Sequence, residues 1–270
     1  MYRLKSTSIH RIRTVETHLV IVKIKHIAKR ALDRIAVATG RRLPSTQGLY
    51  IGARETVEAA ERNGETVCDY VEKLWDIVGL TDNILNQLEQ RGVFAEPIET
   101  VLEIGAGTGR FLEKTLERHE ISRYESYELS KDWAQWLGGK YPIISQPCDG
   151  SRLNATPDGS IDVVVAYGVF VYLPFLTTCR YLDEVARVLK PGGRFAFDAY
   201  FENCFDEETL AKWVHSGHDY PVVLPRDMFV DLLQQRGLEL TSYFPNPYGI
   251  GKTEYMVWIK RYAAKSTQAN

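Results

Sequence analysis

The chain has 270 residues, 33 Lys plus Arg, 35 Asp plus Glu and a formal net charge of −2. That length holds a sizeable core, and a make-up of 44% hydrophobic and 25% charged residues excludes collagen-like, low-complexity and fully disordered chains. No apolar run is long enough to cross a bilayer as a helix, and the four cysteines (Cys68, Cys148, Cys179, Cys204) form no C-x-x-C pair, which argues against a zinc ribbon or a disulfide framework and suits a reducing cytoplasm.

The charge is unevenly spread. Residues 1–50 carry 11 Lys plus Arg against 2 acids, a balance of +9, and the rest of the chain has a balance of −11. The acidic bulk argues against nucleic acid as a partner, so the basic segment acts locally. Within it, the spacing over 14–38 predicts a helix. Leu19, Val20, Ile24, Ile27, Ala31 and Ile35 recur at helical steps, while Lys23, Lys29, Arg30 and Arg34 fall largely elsewhere. Such a helix suits peripheral contact with an anionic membrane surface, an organelle-targeting segment, or packing on the domain or on a second subunit. The sequence leaves these three open.

Two further helices are predicted over 53–62 and 66–78, split at Asn63-Gly64. Another runs from Thr81 or Asp82 to about Gln90, stopped by Gly92. After Pro97 the pattern changes to alternating strands and helices. Strand-like runs fall at 99–104, 123–128, 142–146, 161–166, 193–199, 238–244 and 253–260. Helical stretches fall at 109–118, 130–138, 174–190 and 225–236. This alternation predicts an α/β fold, a parallel sheet covered on both faces. No long helix separates the last two strands, so they are expected to pair antiparallel. From about residue 263 a polar tail follows.

The segment Val101-Leu102-Glu103-Ile104-Gly105-Ala106-Gly107-Thr108-Gly109-Arg110-Phe111 carries the chemistry. A buried strand runs into a glycine turn that opens a helix. Glycines let backbone approach a ligand closely, and the helix start offers unpaired N–H groups. The spacing is G-x-G-x-G, one residue shorter than the dinucleotide fingerprint. Glu128 follows 19 residues after Gly109, at the end of the second strand, where an acid can accept from both ribose hydroxyls.

With these residues the chain resembles the class I methyltransferases that use S-adenosylmethionine. Three further blocks match in order: Tyr127-Glu128-Leu129-Ser130, Cys148-Asp149-Gly150, and Ser160–Tyr167 followed by Val169–Pro174. The run Leu182–Phe197, with its Pro-Gly-Gly turn, is similar to the family's entry into the fifth strand. The resemblance covers about 97–262. It implies a Rossmann-like seven-stranded sheet of order 3-2-1-4-5-7-6 with strand 7 antiparallel. It implies S-adenosylmethionine as donor and S-adenosylhomocysteine as product. It implies that Gly105, Ala106, Gly107 and Gly109 cradle the amino-acid end of the cofactor and that Glu103 helps hold its amino group. Glu128 and Leu129 would take the ribose end, Asp149 and Gly150 the adenine, and Tyr167 would lie by the sulfonium. Residues 97–262 are then the methyltransferase domain, 1–96 the basic helix and a helical lid or extension, and 263–270 a tail. Tyr70 and Trp75 are candidates for that lid or for its core.

Methyl transfer is an in-line displacement, so positioning is the protein's main task, and aromatic faces near a sulfonium add cation–π attraction. Tyr167, Phe170 and Tyr172 are candidates. For proton removal the candidates are His215, His218 and Asp219, read as a loop after the fifth strand. No nearby Cys or second pair completes a metal site with the two histidines, so no metal is expected. Asp198 ends the fifth strand at the ligand-bearing edge, and Glu254 and Tyr255 begin the last strand near the expected substrate mouth. Asn246-Pro247-Tyr248 is similar to the N-P-P-Y signature of methyltransferases acting on base or glutamine amino groups. That signature belongs after the fourth strand, so the segment is read as a turn. The expected reaction is methylation of a small-molecule or glycan-like acceptor, at oxygen. The alternatives are N-methylation of an amine or lipid head group, or a cofactor-binding protein without catalysis.

Overall fold

A computed structural model describes residues 51–216 and 221–262. The basic stretch 14–38, His218 and Asp219, and the tail from 263 lie outside the described residues. Three helices lead: α1 (Ala53–Asn63), α2 (Val67–Trp75) and α3 (Leu80–Gln90). Then come β1 (Thr100–Ile104), α4 (Arg110–Arg118), β2 (Arg123–Tyr127), α5 (Lys131–Lys140), β3 (Ile144–Ser145), β4 (Ile161–Ala166), α6 (Phe175–Val188) and β5 (Leu189–Phe201). The chain continues through α7 (Glu207–Ser216), β6 (Val223–Leu224), α8 (Arg226–Gln235), β7 (Leu238–Tyr248) and β8 (Gly251–Lys260).

The sheet order is β3-β2-β1-β4-β5-β8-β7, with the two-residue β6 added beside the end of β5. β1 to β5 pair in parallel, and β8 runs antiparallel to both β5 and β7. This is the predicted order once β7 and β8 are counted as sixth and seventh strands. Alternation along the strands divides the core. Leu102, Val164, Phe195 and Phe197 face one side with Tyr181 and Leu182 of α6 and Phe229 and Leu233 of α8. Val101, Val163, Val165 and Ala196 face the other, with Leu85 and Leu88 of α3 and Phe111 and Leu112 of α4. A smaller cluster joins α1 and α2 to Trp133 of α5.

Three local expectations change. The stretch read as a loop around His215 contains α7. Its start is capped by Asp206, whose carboxylate accepts the Thr209 N–H at 2.7 Å, and Trp213 buries its inner face. The Asn246-Pro247-Tyr248 segment is not a turn. It ends β7, with Asn246 opposite Thr253 and Pro247 opposite Lys252. β7 is an edge strand, where proline is tolerated, and the turn is made by Gly249 and Ile250, with Gly249 at φ +58°. Finally, β5 begins at Leu189. The Pro191-Gly192-Gly193 step is an irregularity inside it, where the register against β4 shifts between Ile161 and Val163. A Cβ on Gly193 would sit 2.8 Å from the Lys190 carbonyl oxygen, so only glycine fits that step.

Candidate active site

The C-terminal ends of β1, β2, β4 and β5 lie side by side, the edge where α/β sheets bind ligands. The glycine turn after β1 has Gly105, Gly107 and Gly109 at φ +70°, +55° and +78°, a region that costs other residues steric strain. A Cβ on Gly105 would stand 2.7 Å from Val169 of the turn after β4, and one on Gly109 2.5 Å from Leu137 of α5. These two glycines are therefore fixed by close approach as well as by backbone angle. Ala106 is buried between them.

Glu128, half-buried at the end of β2, spans the turn. Its Oε2 accepts the Gly107 N–H at 2.6 Å, and its Oε1 accepts the Ser130 N–H at 2.7 Å. Burial pushes its carboxyl pKa up, and these amides pull it back. Glu103 is fully buried in β1, and its Oε2 accepts from the Tyr124 hydroxyl at 2.6 Å. Burial raises its pKa to about 7; the Tyr124 hydrogen bond and Arg110 oppose that rise, and Glu128 adds to it. Asp149 is exposed, and its Oδ1 accepts from Ser151 N–H, Ser151 Oγ and Arg152 N–H. These bonds, the Ser151 amide first, hold its pKa below the usual carboxylate range. Leu129 is 62% exposed, and its methyl lies 3.4 Å from where a Gly150 Cβ would be. Expected ribose-side and adenine-side residues thus share one wall.

On the β4 side, Tyr167 is buried and stacks on Phe111, with ring centroids 3.7 Å apart. Phe170 faces the opposite core. The Tyr172 hydroxyl lies 2.9 Å from that of Tyr248. The Tyr248 oxygen would be 2.9 Å from a Cβ on Gly168, and its carbonyl accepts from the Tyr200 hydroxyl at 2.8 Å. Sequence reasoning missed Tyr248, because a residue at a hairpin end reads as a turn. Asp198, fully buried at the end of β5, accepts the Gly168 N–H on Oδ1 at 2.6 Å. Burial raises its pKa to about 6, against the Gly168 amide and the Thr253 hydroxyl.

The remaining candidates disperse. His215 is exposed at the end of α7, and its Nδ1 lies 2.7 Å from the Ala211 carbonyl of its own helix. Glu254 pairs with Arg226 at 2.7 Å. Tyr70 packs inside the α1–α2 cluster. Trp75 is half-exposed and carries the Arg110 guanidinium over its ring at 5.1 Å. Arg110 also donates to Thr81 Oγ1 at 3.2 Å and lies 4.0 Å from Glu72. Between the start of α3 and the end of β7 opens a cleft lined by Val78, Leu80, Asn83, Pro247, Tyr248 and Gly249. No group of three or more His, Cys, Asp or Glu suited to a metal ion occurs among the described residues. Nor, among them, is any helix long and apolar enough to cross a membrane.

Known proteins are similar to this chain. Residues 102–197 match the methyltransferase domain family. A malonyl-[acyl-carrier protein] O-methyltransferase of Chlorobium luteolum is 26% identical over 161 residues, which are 56% of this chain and 60% of that protein. An uncharacterized methyltransferase of Geobacillus kaustophilus is 28% identical over 182 residues, 64% of this chain and 79% of that protein. The crystal structure of an S-adenosylmethionine-dependent methyltransferase from Methanosarcina mazei superposes with a TM-score of 0.54 at 14% identity, over 67% of this chain and 98% of that one. The sequence matches support an S-adenosylmethionine-dependent methyltransferase, and the structural likeness shows the shared fold.

Proposed function

We propose that the protein transfers a methyl group from S-adenosylmethionine to an oxygen of a small-molecule or glycan-like acceptor. The observation that carries this reading is the Glu128 carboxylate fixed on the Gly107 amide, in a turn whose Gly105 and Gly109 leave no room for a Cβ. Bound S-adenosylmethionine supplies a methyl group on a positively charged sulfur. Glycines 105, 107 and 109 leave room for its amino-acid end, and the acids Glu103 and Glu128 suit its ammonium and ribose hydroxyls. Leu129, Asp149 and Gly150 would hold the adenine, and Tyr167, stacked on Phe111, presents an aromatic ring toward the sulfonium. The acidic set fits a cationic donor better than a dinucleotide pyrophosphate.

The name of the Chlorobium relative supports oxygen as the methylated atom. Of the catalytic candidates Tyr172 and His215, Tyr172 is the one whose hydroxyl adjoins the cleft residue Tyr248. Residues 51–96 act as a helical cap on the domain at 97–262, and the acceptor enters between α3 and the β7–β8 hairpin. Location in the cytoplasm and contact of the 14–38 stretch with a membrane or a second subunit belong to the same reading. Calorimetric titration with S-adenosylhomocysteine tests the cofactor site. We expect binding at micromolar concentration in the full chain, and no binding below millimolar would end the reading. An acceptor screen that follows release of S-adenosylhomocysteine then separates oxygen from amine acceptors.

A further inference from the structure

Four side chains gather on one sheet face at its ligand-bearing edge. β5 meets β4 at Val165↔Ala196 and β8 at Asp198↔Tyr255. Because side chains alternate along a strand, Tyr167, Asp198, Tyr255 and Thr253 share the face of Val165 and Ala196. All four are buried. Yet Asp198 Oδ2 and the Tyr167 hydroxyl make no well-formed hydrogen bond among the described residues, although the Thr253 hydroxyl lies close enough to Asp198 to favour its charged form. Asp198 Oδ1, by contrast, is fixed by the Gly168 amide. Native interiors satisfy nearly all buried polar atoms, and a cluster of exceptions marks a place for a ligand or a reacting group. The cluster adjoins the cleft through Gly168, whose missing Cβ leaves room for the Tyr248 hydroxyl.

We propose that Asp198 is a catalytic residue whose Oδ2 receives the hydrogen of the acceptor's nucleophile, so that the acceptor presents a neutral O–H here and not a carboxylate. The inference rests on the methyl-transfer reading above. In the transfer, the O–H proton passes to Asp198 Oδ2 and the oxygen's electron pair forms the bond to the methyl carbon. The electron pair of the breaking C–S bond stays on sulfur, which becomes a neutral thioether. Gly168 N–H holds the carboxylate still during this exchange, and the Tyr167 hydroxyl is a second open polar group for the same acceptor.

The titratable groups facing Asp198 are Tyr167 just after β4, Tyr248 from β7 and Tyr255 from β8. Burial pushes all three well above the ordinary phenol range, so they stay neutral near pH 6. Glu103 lies beyond Tyr167, and Arg110 faces Tyr248 and Tyr255.

The test compares two cofactor analogues in the full-length protein by calorimetry. S-adenosylhomocysteine has nothing at the methyl position. Sinefungin carries an ammonium there, an N–H donor aimed where the acceptor's hydrogen would be. We expect sinefungin to bind at least about tenfold tighter than S-adenosylhomocysteine, and Asp198→Asn to bring that ratio to about one. The Asn side chain keeps an oxygen for the Gly168 amide. Should that variant fail to fold, the wild-type protein gives the same answer. At pH 6, in buffers of different ionisation enthalpy, sinefungin should release about half a proton more than S-adenosylhomocysteine. Both analogues share the α-amino group, so the contribution of Glu103 cancels. An unchanged ratio in Asp198→Asn, or equal proton release by the two analogues, overturns the inference and leaves the cofactor reading standing. Failure of the wild type to bind either compound overturns both.

Discussion

At the β1–β2 side of the sheet edge, the acids of the site are all engaged by their own chain. Glu128 holds the Gly107 and Ser130 amides, Glu103 takes the Tyr124 hydroxyl, and Asp149 takes Ser151 and Arg152. At the β4–β5–β8 side, Asp198 keeps one buried oxygen that takes no well-formed hydrogen bond among the described residues, with only the Thr253 hydroxyl near it to favour its charge, and the Tyr167 hydroxyl is likewise unsatisfied. The first side is preorganised: its geometry stands before any ligand arrives. The second carries an unrelieved desolvation cost that only a ligand can offset. In the proposed reading, the rigid half binds a molecule common to many reactions, and the half that leaves its polar atoms open is the one proposed to meet the acceptor.

The hardest test of the preorganised side is Gly105→Ala. The added Cβ would meet Val169 at 2.7 Å with φ at +70°. We expect S-adenosylhomocysteine affinity to fall by at least about a hundredfold, a loss on the order of 3 kcal/mol. Wild-type affinity in calorimetry would show the turn to be yielding, and the comparison would collapse.

Asp198→Asn probes the open side through stability. Folding raises the Asp198 pKa from 3.8 to about 6. The folded chain therefore holds this proton more tightly than the unfolded chain. The stability it contributes is full below pH 3.8 and is lost as pH rises through about 6. Asparagine has no charge to bury, so the variant should gain on the wild type between pH 4 and pH 8. The gain is at most about 3 kcal/mol. Urea unfolding at the two pH values measures it, and a loss at pH 8 would mean that Asp198 is a structural anchor instead.

Glu128→Ala removes a carboxylate that carries two amides. Charge-assisted hydrogen bonds contribute roughly 1.5–3 kcal/mol, so cofactor affinity should fall by about ten- to a hundredfold. A loss under about threefold would place the ribose elsewhere. The smallest effect is expected for Tyr172→Phe, which breaks the hydroxyl pair with Tyr248 and costs about 1 kcal/mol of folding stability. A thermal melt in which the variant matches the wild type would show that this pair is not maintained in solution.

The same division explains what was legible in the sequence. The glycine turn, Glu103 and Glu128 lie within 26 consecutive residues, 103–128, and their spacing follows from one strand–turn–helix–strand unit. Such local geometry can be read from order alone. Strand–helix alternation gave a parallel sheet covered on both faces, whereas the order of its strands came only from the resemblance to the methyltransferase family. The open side joins Tyr167, Asp198, Tyr248, Thr253 and Tyr255, drawn from β5, β7, β8 and the turn after β4. Only pairing registers bring them together, and registers are not written in single residues. Asp198 was visible as a strand end but not as a buried carboxylate. Tyr248 was hidden because proline at Pro247 reads as a break, whereas on an edge strand it is harmless. Likewise, α7 was hidden by its weak apolar pattern, with only Trp213 buried.

Arg110 deserves a last consequence of its geometry. Its backbone opens α4 directly after Gly109, while its guanidinium lies against Trp75, Thr81 and Glu72 of the two helices before the sheet. One side chain therefore links the glycine turn to α2 and α3. A displacement of that turn pulls on the start of α3, and a shift of α3 is felt at the turn with equal force. Filling of the turn should therefore register as slowed amide exchange near residues 79–83, in helices that need not touch the cofactor at all.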